Sequence, residues 1–510
     1  MIELKKIYCD TFFDLGFFSG SAEFFIGYAF LQASLFSLAI NSTRLNCSIY
    51  KSSLPNYHLV GIFISVSAFF LLLNEEIRYF VGDAASFNCM ILNDNLGSAG
   101  KITVCFFVII FFGSLKSVDS KVSLTNSFEY FSFLVSGFMG SLLICSSNDL
   151  ITAYLSIELQ SISFYLMACS KKNSGYSVES GLKYFIIGSF SSSFFLLGSA
   201  FVYLNCGSVN FTEMVPIQEY FFIDYDSINL GFFFIILSLL IKLAVAPFHL
   251  WSIDVYESSP SPTTYFFSVI PKIGLFIFLA RIMMTVGFWD LIPNFPDYCL
   301  YLSITSILVG ALGGLEQRKL KSLLAYSSVS HTGYALLSLS SLTEGGIVMM
   351  LCYLMFYMLS STCFWFIFML LKKRAYFYNK KLSKEIGDLA QLRKANPILA
   401  LLLGIILFSL AGIPPLVGFF IKFGVFLSSV QTSAYLISLI AILFSVLSTF
   451  YYLRLIKVIF FENVTTGLLY YPIGSNKALT ISLGSMLLVI MFIRPSTVYL
   501  IFLKSYMLIF

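Results

Sequence analysis

Apolar runs of about twenty residues follow one another along nearly the whole of this 510-residue chain, and no other feature restricts its possible folds so severely. A run of that length crosses the hydrocarbon core of a bilayer as a helix, because only helices and closed barrels satisfy every backbone N–H and C=O there. The runs are continuous and do not alternate apolar with polar residues, which excludes barrel strands. Charged residues make up 11% of the sequence, against about 25% in soluble domains. No stretch remains from which to build a soluble enzyme, so the chain reads as an all-α polytopic membrane protein.

Fourteen spans are predicted, near 12–39, 58–74, 97–115, 128–148, 150–169, 181–204, 228–250, 264–288, 298–315, 321–341, 346–371, 397–427, 433–461 and 478–503. The third is the weakest, bracketed closely by Lys101 and Lys116, and thirteen is the alternative count. Lys and Arg gather in loops on the inner side of a membrane. Here the loops after odd spans hold Arg44, Lys51, Lys116, Lys121, Lys171, Lys172, Arg318, Lys319 and Lys321, and the loop after span 11 runs from Lys372 to Lys394 with eight basic residues. The loops after even spans are acidic, with Glu75, Glu76, Asp83, Asp94, Asp149, Glu213, Asp290 and Glu344 among them and only Arg78 and Lys101 as clear basic members. Both termini are therefore expected on the positive, outer side.

A net charge of +5, sorted in this way by side, speaks for membrane topology and against nucleic-acid binding. The ten cysteines form no CxxC pair and no Cys/His cluster, and neither GxGxxG nor GxxxxGK[ST] occurs. Zinc, iron–sulfur, disulfide, nucleotide and flavin sites are thus not written into the chain. The opening MIELKKIYCDTFFDLGFF has neither a signal-peptide nor a transit-peptide pattern, so synthesis in the compartment of use is expected. Fifty-seven Phe and thirty Tyr beside three Trp suggest an A+T-rich coding genome.

A charge at mid-bilayer costs about 2.5–3.5 kcal/mol on insertion scales, so such residues line a wet path or face a partner. Four stand out: Glu158 on span 5, Lys242 on span 7, Lys272 on span 8 and Lys422 on span 12. Each has a plainer reading. Lys272 lies near a proline-bounded helix start and can snorkel to the headgroups; Glu158 and Lys242 can form a static pair that only fixes packing. Lys422 is the hardest to dismiss, because no other charge lies between Pro397 and Tyr452.

Pro247 follows Lys242 by five residues, and Pro414 and Pro415 precede Lys422 by eight and seven. Proline removes a backbone donor and clashes with the preceding turn, so spans 7 and 12 are predicted to break at membrane depth. Interrupted helices at corresponding positions of two repeats point to an ion pathway. Spans 4–8 and 9–13 make two five-helix sets, and an odd number of spans inverts the second. The plainer reading is that the prolines only kink packed helices. His249 follows the first break in APFHLW, and His331 sits in LLAYSSVSHTGY among Ser327, Ser328, Ser330 and Tyr334. Both can exchange protons near neutral pH beside water-holding hydroxyls, or simply pack as hydrogen-bond donors. His58, at a helix entrance, reads as interfacial.

The stretches NDLITAYLSIELQSISFYLMA, ESGLKYFIIGSFSSS, KLAVAPFHLWSIDVYESSPSPTT, KLKSLLAYSSVSHTGY and NPILALLLGIILFSLAGIPPLVGFFIKF, taken in order, resemble the subunit 2 family of NADH:ubiquinone oxidoreductase, respiratory complex I, in its mitochondrial and bacterial forms. Multisubunit cation/proton antiporters are similar over the same core. The resemblance covers about residues 125–427, departs in SIDVYESSPSPTT, and leaves the first three spans and the tail beyond 461 unmatched. It implies an antiporter-like subunit with two inverted half-channels. Glu158 is then the acidic member on span 5, Lys242 the lysine of span 7, Lys272 the connecting lysine of span 8, Lys422 the exit lysine of span 12, and His331 the histidine of span 10.

The expectation is accordingly a proton-translocating membrane-arm subunit, its relay built from Glu158, Lys242, Lys272, His331, His249 and Lys422, with helix breaks at Pro247, Pro414 and Pro415. The domains expected are N-terminal helices over 1–120, a first half over 125–290, an inverted half over 298–461 and a C-terminal helix over 462–510. The resemblance implies no cofactor on this chain; NADH, FMN, iron–sulfur clusters and ubiquinone belong to other subunits. Its partners are other membrane-arm subunits, including neighbouring antiporter-like ones, and lipids, with no nucleic acid. The expected location is the mitochondrial inner membrane, multi-pass and organelle-encoded, with a bacterial plasma membrane as the alternative. Two competing functions are a structural membrane-arm subunit without its own proton path, and a subunit of a cation/proton antiporter.

Overall fold

The computed structural model describes residues 20–44, 57–78, 84–115, 127–171, 173–214, 225–285, 295–374, 380–382, 385–390, 392–462 and 475–507. Seventeen principal helices are found among them: α1 (Ser21–Arg44), α2 (Tyr57–Arg78), α3 (Asn95–Leu115), α4 (Phe128–Ser146), α5 (Leu150–Ala168), α6 (Gly175–Cys206), α7 (Tyr225–Lys242), α8 (Leu250–Ser258), α9 (Ser261–Thr285), α10 (Phe295–Leu315), α11 (Leu320–Leu339), α12 (Glu344–Leu370), α13 (Pro397–Ala411), α14 (Val417–Gln431), α15 (Tyr435–Phe460), α16 (Ser475–Ile493) and α17 (Pro495–Met507). Each predicted span coincides with one helix or with a broken pair. Nine described helices are long and apolar enough to cross a membrane unaided, and α16 with α17 makes a tenth as a pair bent by 82°. The start of the first predicted span, and Lys51, Asp83, Lys116, Lys121, Lys172, Asp290 and Lys384 among the segregated loop charges, lie outside the described residues.

Local chemistry sets the helix ends. Ser127, Asp149, Thr343 and Asn396 each accept a bond from a first-turn N–H of α4, α5, α12 and α13, satisfying donors that a helix start leaves open. Pro397 at the first position of α13 loses nothing by lacking an N–H.

The chain packs as two compact units, one drawn from Met1–Leu239 and Ile270–Leu291, the other from Leu240–Val269 and Ile292–Leu508. The first unit is stitched by two buried ion pairs. Lys101 on α3 is 1% exposed, lies 2.5 Å from Glu23 on α1, and donates to Asn93 at 2.6 Å. Arg281 on α9 lies 2.5 Å from Asp94, the residue that caps α3 through Gly97 N, and donates to Ser147 O at 2.6 Å. Lys101 is thus an inner member of α3 and not the loop charge that the sequence pattern made it. A two-stranded hairpin, β1 (Ala84–Ser86) and β2 (Ile91–Asn93), leads into this corner with Ala85 opposite Leu92. Its turn is tied down by Asn148, which donates to Cys89 O at 2.9 Å and to Asn210 Oδ1 at 2.8 Å.

In the second unit α10 lies close against α11. A Cβ on Gly310 would stand 2.6 Å from Ser330 N, so only glycine admits this approach. Of the twenty residues of α11, eighteen are buried although seven of those are Ser, Thr or His. Its neighbours α12 and α15 differ: α12 is almost wholly buried, whereas α15 exposes Leu436, Leu439, Leu443 and Phe450 on one side.

Candidate functional site

Both predicted breaks are present. α7 ends at Lys242, Ala244 takes a left-handed φ of +57°, and the chain re-enters helix at Leu250 after Pro247. α13 ends at Ala411 with Gly412 at φ +80°, and α14 starts at Val417 beyond Pro414 and Pro415. The Ala246–Pro247 and Pro414–Pro415 bonds are cis. A helix that stops inside a membrane leaves carbonyls without partners, and each must find a donor. At the first break Trp251 Nε1 donates to Ile241 O at 3.0 Å and Thr305 Oγ1 to Ala246 O at 3.2 Å.

At the second break the donor is Lys422 itself. Its Nζ bonds Ala411 O at 2.9 Å and Leu410 O at 3.2 Å, and stands 5.4 Å from the centroid of the Tyr334 ring. The side chain is 5% exposed. The negative end of the α13 dipole, the two carbonyls and the ring face all present negative potential to the lysine head.

His331 lies at the centre of α11 and is 2% exposed. Its Nδ1 is 2.6 Å from the hydroxyl of Tyr353 on α12, and its Nε2 is 3.1 Å from that of Tyr452 on α15. The ring of Tyr357 lies against it with centroids 4.8 Å apart. Ser327, Ser328 and Ser330 donate instead to the carbonyls of Leu324, Ala325 and Ser327 on their own helix, each at 2.8 Å. The imidazole thus bonds tyrosines of two neighbouring helices.

The remaining predicted residues are placed as follows. His249 is buried at the N-cap of α8, its ring 6.3 Å from that of Tyr326 on α11. Lys242 is half-buried at the C-terminal end of α7, and Pro247, Pro414 and Pro415 are exposed. Lys242, His249, His331 and Lys422 all belong to the second unit, and His331 and Lys422 both have Tyr334 as a neighbour. Glu158 and Lys272 belong to the first unit. Lys272 is 5% exposed on α9 directly after Pro271, so it does not snorkel outward. Glu158 is half-buried on α5, its Oε2 3.4 Å from Ser161 Oγ. It borders a stripe of exposed Ile151, Leu155, Leu159, Ile162 and Leu166. Glu257 at the end of α8 pairs with Lys319 at the start of α11, and Lys321 donates to Ser259 O at 2.5 Å.

Sequence reasoning missed Tyr353 and Tyr452. The available signal was tyrosine inside otherwise apolar spans, Tyr353 with Tyr357 one turn apart on α12 and the Tyr451–Tyr452 pair on α15.

Two helices broken in membrane-length spans, with a lysine bonded to the freed carbonyls of one, define an antiporter-like membrane protein. The comparisons agree. Residues 147–448 match the family model described as the NADH:quinone oxidoreductase/Mrp antiporter transmembrane family. A relative from Marchantia polymorpha named NADH-ubiquinone oxidoreductase chain 2 is 39% identical over 381 residues, 74% of this chain and 76% of its own length. NADH-quinone oxidoreductase subunit N of Pelagibacter ubique (strain HTCC1062) is 34% identical over 471 residues, 86% of this chain and 97% of its own. The chain belongs to this family of NADH:quinone oxidoreductase chain 2 and subunit N proteins. Its fold is that of a chain in the structure of respiratory complex I from Thermus thermophilus with bound Aureothin, with a TM-score of 0.75 at 23% identity over 92% of this chain and 98% of that one.

Proposed function

We propose that the chain is a proton-translocating, antiporter-like subunit of the membrane arm of respiratory complex I, working among other membrane-arm subunits. The observation that carries this reading is Lys422, a buried lysine whose Nζ bonds the open carbonyls of a helix that breaks inside the membrane. Such a group can take up and release a proton without leaving its site, because the carbonyls hold either form in place while the surrounding charges decide which one prevails.

The roles follow the family resemblance residue by residue. Lys242 loads at the first break, and Glu158 is the acidic member of the relay on span 5. Lys272 connects, His249 and His331 pass protons, and Lys422 releases toward the outer face. These groups titrate as a coupled set. The two halves are assigned to 125–290 and 298–461, flanked by the helices of 1–120 and 462–510. NADH, flavin, iron–sulfur clusters and quinone are assigned to other subunits, whose electron transfer drives the relay.

The membrane is proposed to be the mitochondrial inner membrane, supported by the Phe- and Tyr-rich composition; fractionation of the source cells tests it. The function is tested with Lys242→Ala and Lys422→Ala in the assembled complex in sealed vesicles. Each is expected to lose proton pumping per electron, and normal pumping in either assembled variant would overturn the relay. Assembly lost ahead of pumping would instead favour a structural subunit.

A further inference from the structure

Resting on the relay reading above, we infer that Tyr353 and Tyr452 are proton-passing residues, one on each nitrogen of His331, and that protons cross α11 through this triad. A neutral imidazole has one N–H and one bare nitrogen. With both nitrogens bonded to phenols, one tyrosine must donate its O–H while the other accepts an N–H. An imidazolium donates from both sides, so protonation turns the donating phenol into an acceptor. The arrangement cannot change its proton count without changing the direction of a tyrosine O–H.

That constraint makes a wire of the triad. In one direction the Tyr353 O–H proton moves to Nδ1 as the phenol oxygen takes a proton from the next donor. The Nε2 proton then passes to Tyr452 as that phenol gives up its own proton. One proton has entered and one has left, neither tyrosine is left charged, and the imidazole ends neutral with its proton on the opposite nitrogen. Rotation of the hydroxyls and an exchange of the imidazole tautomer reset it.

Further tyrosines lie on both sides. Tyr334 lies beside Tyr353, ring centroids 5.8 Å apart, and the Lys422 ammonium lies 5.4 Å from the Tyr334 ring. Tyr451 lies beside Tyr452, centroids 4.4 Å apart. The titratable groups facing His331 are thus Tyr334 on its own helix, Tyr353 and Tyr357 on α12 and Tyr452 on α15, all buried, with Lys422 beyond Tyr334. Tyr357 presents its ring face to the imidazole, while Nδ1 and Nε2 are bonded by Tyr353 and Tyr452. It is the control.

The test places Tyr353→Phe, Tyr452→Phe and Tyr357→Phe singly in the full complex in sealed vesicles, alongside Lys422→Ala, and measures protons pumped per NADH oxidised. Tyr353→Phe and Tyr452→Phe are expected to lose the pumping that Lys422→Ala loses, and Tyr357→Phe to keep it. If Lys422→Ala fails to pump while both phenylalanine variants pump normally, the triad is wrong and the relay stands. If all four pump normally, the relay itself is wrong. Should a phenylalanine variant fail to assemble, 3-fluorotyrosine at the same position keeps shape and hydroxyl but makes the phenol more acidic. The pH profile of pumping is then expected to move, and an unmoved profile overturns the proposal.

Discussion

Gly412 and Lys422 share one small volume: a Cβ on Gly412 would stand 2.9 Å from Lys422 Cδ and 3.1 Å from its Nζ. The glycine does two things there. It adopts the left-handed conformation that ends α13, and it leaves room for the ammonium to reach Ala411 O and Leu410 O.

Gly412→Ala is therefore expected to act on both stability and transport. The left-handed backbone alone costs about 1–2 kcal/mol for a residue with a Cβ, and the methyl displaces the lysine from its carbonyls. Thermal denaturation of the assembled complex should show the first effect and vesicle pumping the second. Pumping as efficient as in the unmodified complex would mean that the position of the lysine does not matter.

Lys272→Met separates a working lysine from a packed one. Methionine fills a similar volume at this buried position of α9, so assembly should persist. Pumping per electron should fall although NADH oxidation continues. A variant that pumps normally would reduce Lys272 to packing.

The Arg281–Asp94 pair is buried on the arginine side and ties α9 to the cap of α3. Arg281→Met leaves the carboxylate without its partner, and losing one member of a buried pair costs about 3–5 kcal/mol. Arg281→Met combined with Asp94→Asn should recover most of that loss. A double-mutant cycle on the yield and melting temperature of the complex measures the recovery, and additive losses would show that the pair is not coupled.

Trp251→Phe keeps an aromatic side chain, though a smaller one, and removes the donor to Ile241 O at the first break. A buried carbonyl left without a donor costs about 1–3 kcal/mol. A melting temperature unchanged from that of the unmodified complex would show that another group already serves that carbonyl.

Much of this architecture was legible in the sequence because the membrane imposes it. Span positions follow from apolar length, and both breaks follow from Pro247 and from Pro414 with Pro415, since proline's missing N–H acts locally. Lys422 was legible because an isolated charge in a long apolar run has few explanations. The tyrosines on His331 were not, because Tyr452 is 121 residues away and only helix packing brings it there. The buried pairs Lys101–Glu23 and Arg281–Asp94 escaped for the same reason: each member reads as an ordinary charge near a helix end. The serines beside His331 each bond a carbonyl of their own helix three residues back, as a helical serine readily does.

The polarity of α11 bears on how the chain is made. A segment carrying Ser322, Ser327, Ser328, Ser330, His331, Thr332 and Ser338 gains little by entering lipid alone, and in the finished protein its neighbours cover it on every side. That cover comes from α10 and α12 next to it in the chain and also from α8, α14 and α15 far from it, so its polar side chains are sheltered only once the second unit has come together.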